Sequence, residues 1–156
     1  VSSFRSDARA SVEFARSLRL DAAGLLRSAG LHRFDLSDVD AFIPASAVTE
    51  LLERSAVTAG IEDFGLRLAT IRNLAHIGPV GLLVREEPTI GHAIRAAETY
   101  LGRYSDAIDF RLYEHATVAV LRVQYLAATQ GHTRQATELL VGTVHRVINA
   151  LAGRAC

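Results

Sequence analysis

Imidazole is the commonest metal ligand and the side chain that titrates nearest neutrality, so the histidines come first. There are six: His32, His76, His92, His115, His132 and His145. None stands three or four positions from another, so no helical turn presents two of them on one face, and the single cysteine, Cys156, is the last residue. A zinc or iron site therefore has no local signature. Nucleophilic serine chemistry has none either, because no G-x-S-x-G elbow occurs. Glu50 with Glu53, and Glu86 with Glu87, are carboxylate pairs, but they lie in polar stretches and read as solvated surface. Gly78-Pro79-Val80-Gly81 matches no phosphate-cradling pattern, and its proline removes an amide donor where phosphates need one. Arg134 and Glu138 stand four apart on an expected helix and read as a surface pair worth about 0.2–0.5 kcal/mol. No catalytic residue, metal or cofactor is expected, and the chain is not read as an enzyme.

Whatever these residues do, they must be held by one compact unit. The 156 residues are one domain's worth, and 49% hydrophobic content suffices for a core without metals or disulfides. A lone cysteine excludes an intramolecular disulfide and suits a reducing, cytoplasmic setting. Seventeen basic residues balance seventeen acidic ones, and every basic residue is arginine. DNA binding draws most of its affinity from phosphate neutralisation, so a chain with no basic excess is not expected to grip DNA alone. No apolar run approaches the ~20 residues that span a bilayer. The start, Val1-Ser2-Ser3-Phe4-Arg5, lacks both a signal-peptide core and methionine, and reads as processed or cut; Cys156 likewise reads as a cut end.

The periodicity predicts a mostly helical α+β domain with an antiparallel β-hairpin, or a small sheet, packed against helices. Val12, Ala15 and Leu18 suit an amphipathic helix over 8–18. Asp21 looks like a cap for a second helix over 22–29, closed by Gly30, and 31–42 reads as a loop. Pro44 opens a helix carrying Val48, Leu51, Leu52 and Ala56. Phe64, Leu68 and Ile71 support another over 62–70. Residues 78–84 are apolar on nearly all sides and predict a short helix buried beneath the rest. Thr89 is a good N-cap for a helix over 90–104. The period then falls to two. Ile108, Phe110 and Leu112 share one face of a strand; Leu121, Val123 and Tyr125 share one face of a partner within 117–125, joined by Glu114-His115-Ala116. Helical period returns over 133–151, where Ala136, Leu140, Val144, Val147 and Leu151 form a seam flanked by Leu139, Val141 and Ile148.

Several blocks resemble the N-terminal domain of a large subfamily of AraC-type bacterial transcription regulators. They are Ile43-Pro44-Ala45; Leu51-Leu52-Glu53; Asp63-Phe64-Gly65-Leu66-Arg67-Leu68-Ala69; and Ile77-Gly78-Pro79-Val80-Gly81-Leu82-Leu83, leading into Glu87-Pro88-Thr89-Ile90-Gly91-His92-Ala93-Ile94. Tyr100-Leu101 with Tyr104-Ser105, the hairpin, and Arg134-Gln135-Ala136-Thr137-Glu138-Leu139 follow in the same order, so the similarity runs from about residue 20 to 153. The resemblance implies a single effector-sensing and dimerisation domain over 1–156 that takes a small-molecule effector and pairs as a homodimer. DNA and RNA polymerase would then be reached only through a C-terminal helix-turn-helix domain. Family members continue with more strand and helix, so this chain departs from the pattern by stopping short.

A ligand in an α+β domain sits naturally between the apolar face of the sheet and the helices that cover it. That places Phe110, Leu112, Leu121, Val123 and Tyr125 in the pocket wall, with Leu82 and Tyr104 from covering helices and His76 or Arg85 as polar anchors. The seam residues Leu140, Val144, Val147 and Leu151 are the expected dimer interface. Two other readings stay open. One is a protein-interaction module with no small-molecule ligand; the other is a sensor holding haem through one of the scattered histidines.

Overall fold

The computed structural model of the chain describes residues 5–36, 43–72, 79–104, 107–126 and 133–153, with the side chains of 5–7 and 102–104 excepted. Helix α1 (Arg5–Ser17) turns Ala8, Val12 and Ala15 inward at helical spacing. Helix α2 (Ala22–Ser28) begins at Asp21, whose carboxylate accepts the Gly24 N–H at 2.9 Å, and gives way to Gly30 at φ +69°. A single 3-10 turn, Leu31–Arg33, follows. Helix α3 (Ala45–Ala59) starts directly after Pro44 and ends on Gly60 at φ +64°, the left-handed C-terminal position that glycine occupies without strain. Helices α4 (Phe64–Thr70), α5 (Pro79–Glu86) and α6 (Ile90–Tyr104) come next. At the head of α6 the Thr89 hydroxyl accepts the His92 N–H at 3.2 Å, as its sequence position predicts. Strands β1 (Ile108–Glu114) and β2 (Ala119–Tyr125) form a two-stranded antiparallel sheet, and α7 (Arg134–Ala152) ends the described chain.

The apolar side chains gather in two clusters. The larger belongs to α1–α4 and the first turns of α7. It centres on Phe64, Leu31, Ile43, Leu51, Leu52 and Leu68, with Ala136 and Leu139 supplied by α7. Phe14 packs on Phe64 with ring centroids 5.0 Å apart and planes tilted by 54°. The smaller cluster joins Val80 and Val84 of α5, Ala93 and Ala97 of α6, Phe110 of β1 and Leu151 of α7. A two-stranded sheet is marginal alone, and these three helices are what cover its apolar face.

Three expectations are corrected. Helix α5 is not buried on all sides: Val80, Gly81 and Val84 face inward, whereas Leu82 is 65% exposed. An eight-residue helix covered on one side can bury one stripe only. The stretch read as a loop over 31–42 contains core residues, since Leu31 is fully buried and Phe34 and Leu36 pack against the larger cluster; 37–42 lies outside the described residues. The hairpin connection is His115-Ala116-Thr117-Val118, closed by the His115 N–H donating to the Val118 carbonyl at 2.8 Å, so β2 begins at Ala119. Among the described residues no helix is long and apolar enough to cross a membrane.

Helices α4 and α7 approach each other unusually closely. A Cβ on Gly65 would lie 2.1 Å from the backbone oxygen of Gln135, and one on Gly142 would lie 2.7 Å from the Cβ of Ala69. Backbone cannot yield as a flexible side chain does, so Gly65→Ala should destabilise the fold by about 1–3 kcal/mol. Gly91→Ala is the matched control. Its added methyl would meet only ordinary contacts at 3.8 Å and beyond, and stability should hold or rise by up to about 1 kcal/mol. Urea unfolding of both variants tests the difference.

Candidate functional site

Cross-strand partners point to the same side of a sheet, so the register fixes the inner face. Ile108 pairs with Tyr125, Phe110 with Val123 and Leu112 with Leu121. Phe110 is the deepest of the six at 8% exposure; the others are partly buried. Opposite this face lie Val80 and Val84, Ala93 and Ala97, then Val144, Val147 and Leu151, one group from each covering helix. The outer face is polar around its middle. The Arg111 guanidinium bonds Asp109 at 3.1 Å and Glu98 of α6 at 3.2 Å, and those acceptors raise its pKa above the usual arginine range. Arg95 of α6 also reaches Glu114 at 2.8 Å, so two ion pairs fasten the hairpin to α6.

The structure brings together Phe110, Leu112, Leu121 and Val123 on the inner sheet face. Tyr125, Leu82 and Arg85 stand apart from this group. Tyr125 stands at the far end of that face, where its hydroxyl donates to the Ala45 carbonyl at 3.2 Å and lies 3.1 Å from Thr49 Oγ1. It joins the hairpin to the first turn of α3. Leu82 points to solvent from the outer side of α5. Arg85 is an exposed residue of the last turn of α5, paired with Glu86 at 3.2 Å. His76 and the Tyr104 side chain lie outside the described residues.

The seam of α7 also faces inward. Leu151 is 8% exposed within the smaller cluster, Val144 and Val147 pack against it, and Leu140 is half-buried. These four positions are therefore committed to the interior over most of their surface, because the α4 and sheet contacts approach α7 from two sides. Its outward side carries Val141, 49% exposed, with His145 and Asn149. A groove of about 580 Å³ runs between α4 and α7, lined by Leu66, Ala69, Thr70, Gly142, His145, Arg146, Asn149 and Ala150. Among the described residues no three His, Cys, Asp or Glu side chains gather as a metal-holding group.

Residue type and spacing did not point to the polar contacts at the start of α7. Gln135 is 3% exposed; its Nε2 donates to the Glu62 carbonyl at 2.8 Å and its Oε1 accepts the Gly65 N–H at 2.7 Å. Its own N–H donates to Glu53 Oε1 at 2.8 Å. Glu53, read from sequence as solvated, is thus a helix cap in the folded chain. Glu50 does lie at the surface, bonded to Arg54.

The family model for the N-terminal arabinose-binding domain of AraC transcription regulators matches residues 20–156. The HTH-type transcriptional regulator VirS of Mycobacterium tuberculosis, from strains CDC 1551 / Oshkosh and ATCC 25618 / H37Rv, is 30% identical over 130 residues. That alignment covers 79% of this chain and 38% of the relative, so the chain spans well under half the length of the curated relatives it matches.

The Tyr125 contacts make a direct test. Tyr125→Phe should keep the fold and lose about 1 kcal/mol, the net worth of a hydrogen bond. Tyr125→Ala should lose about 3–5 kcal/mol, because it empties the aromatic site as well. Thermal unfolding of the two variants separates the hydroxyl from the ring; a Tyr125→Phe protein melting with the wild type would show that the hydroxyl contributes nothing.

Proposed function

The chain belongs to the family of N-terminal arabinose-binding domains of AraC-type transcription regulators, and we propose that it binds a small-molecule effector beneath the hairpin. The observation that carries this reading is the separateness of the smaller cluster. Among the described residues it holds six buried apolar side chains, against twenty in the larger one. Regions with few buried contacts open at least cost, and ligand-binding elements are drawn from that end of the stability range. An effector inserted between Phe110, Leu112, Leu121 and Val123 and the helices α5–α7 displaces thin packing and leaves the larger core intact. The lining is apolar, which suits a hydrophobic metabolite with few polar groups; Arg85, in the last turn of α5, is the proposed anchor for an acidic end.

Binding regulates only if the effector favours one arrangement of the domain over another. The arrangement at stake is the packing of α7 on the sheet, through Val144, Val147 and Leu151. In the whole regulator, pairing into a homodimer and promoter recognition by a helix-turn-helix part would read that arrangement. Described residues pair arginines with carboxylates locally, as Arg9–Glu13, Arg67–Asp63 and Arg134–Glu138 do, so the neutral domain itself offers DNA little.

A thermal-shift screen of apolar metabolites, acids included, tests the site. A binder present at one hundred times its Kd should stabilise the domain by about 2.7 kcal/mol. Phe110→Ala and Val123→Ala should weaken that binder at least tenfold, whereas Leu82→Ala, on the solvent side of α5, should not. A binder indifferent to Phe110 and Val123 would place the site elsewhere and remove this reading.

A further inference from the structure

Helix α7 is the long element that enters both clusters, and its two halves are held by different means. We infer that α7 is divided near Gly142 into a fixed half, 134–142, and an arm, 143–152, that moves as one unit with the hairpin, α5 and α6. In the fixed half, the Gln135 amide and the Glu53 carboxylate join α7 to α3 and α4 through three hydrogen bonds of 2.7–2.8 Å. Ala136 and Leu139 lie in the larger core, and Gly142 seats the helix directly on Ala69.

Past Gly142 this support ends. Helix α4 ends at Thr70, and the groove that begins at Ala69 and Gly142 continues along His145, Arg146 and Asn149. Among the described residues the arm has this groove on its α4 side and the smaller cluster on the other, which it joins through Val144, Val147 and Leu151. Across the groove Arg146 Nε of the arm donates to the Arg72 carbonyl at 3.0 Å. At the junction itself the Thr143 hydroxyl is buried with no hydrogen-bond partner among the described residues. A helical threonine ordinarily satisfies its hydroxyl on the carbonyl one turn back, so an unmet group here is a local cost that repacking of the arm can relieve. As a transmission device the arm rests on the effector reading above. The division of α7 does not.

Hydrogen exchange followed by mass spectrometry on the full chain, without ligand, tests the division. Amides of 144–152 should exchange in one kinetic class with 108–125, and roughly tenfold or more faster than those of 136–142, as expected of separate cooperative units. Val123→Ala, which thins the smaller cluster, should speed 144–152 and the hairpin together by several-fold and leave 136–142 unchanged. Arg146→Ala should also speed 144–152 while 136–142 keeps its protection. Exchange of 136–152 as a single class would overturn the inference. So would 144–148 staying unchanged in Val123→Ala, because simple fraying of the helix end does not depend on the sheet. If exchange divides as stated while no effector binds under the hairpin, the effector reading falls and the arm stands. If an effector binds there while α7 exchanges uniformly, the arm falls alone.

Discussion

The fold turns on how two helix starts are capped by side chains of other helices. The first turn of any helix leaves backbone N–H groups without an intrahelical partner. Neither Asp63 before α4 nor Thr133 before α7 makes a side-chain cap bond. Asp63 is instead engaged by Arg67 at 2.9 Å, which holds its carboxyl below the usual carboxylate range. The missing caps come from other helices: Gln135 of α7 accepts the Gly65 N–H of α4, and Glu53 of α3 accepts the Gln135 N–H of α7. This exchange works only at very short range. A side chain on Gly65 would strike the Gln135 carbonyl, so the glycine and the glutamine form one requirement. A seven-residue helix such as α4 is too short to persist alone, and its capture by α7 explains how it forms.

That dependence also marks what could be read from the chain in advance. Local signals were legible because their physics is local: Asp21 and Thr89 as N-caps, Gly30 as the close of α2, alternation in β1, and helical period along α7. Phe110, Leu112, Leu121 and Val123 could be assigned to one sheet face because pleat and register leave little choice. Gln135 could not be recognised as a buried clamp, since a glutamine one step after the first residue of a helix looks the same whether solvent or another helix lies beside it. The same ambiguity hid Leu31 in an apparent loop and misplaced Leu82. An apolar run such as Val80 to Val84 states that a helix has apolar sides, but not how many neighbours arrive to cover them. Tyr125 could be placed on the inward face by alternation, but its hydroxyl contacts with Ala45 and Thr49, 80 and 76 residues away, carry no local signal.

The charges follow a related economy. Arg9, Arg54, Arg67 and Arg134 each meet a carboxylate one helical turn away, and Arg95 and Arg111 meet theirs across the α6–hairpin boundary. Exposed pairs of this kind contribute little to stability, typically about 0–1 kcal/mol. Their larger consequence is that no extended basic face builds up on the described helices, so the net balance seen in composition is also a local balance.

The proposed effector site would ask a firmly folded domain to yield locally. The two demands would then fall on different clusters joined by shared helix and sheet. The larger core can remain constant while the smaller one repacks, because, among the described residues, the cost of disturbing six buried side chains is far below that of disturbing twenty. The bonds between the clusters then decide how far a disturbance travels. Tyr125 ties the end of the sheet to α3, and Arg146 ties the arm of α7 to Arg72. Both are polar contacts near the boundary, which are made or lost abruptly with distance, whereas apolar packing yields gradually. On the effector reading proposed above, a small expansion beneath the hairpin would meet a threshold at each tie, and a threshold would convert graded occupancy into two distinguishable states.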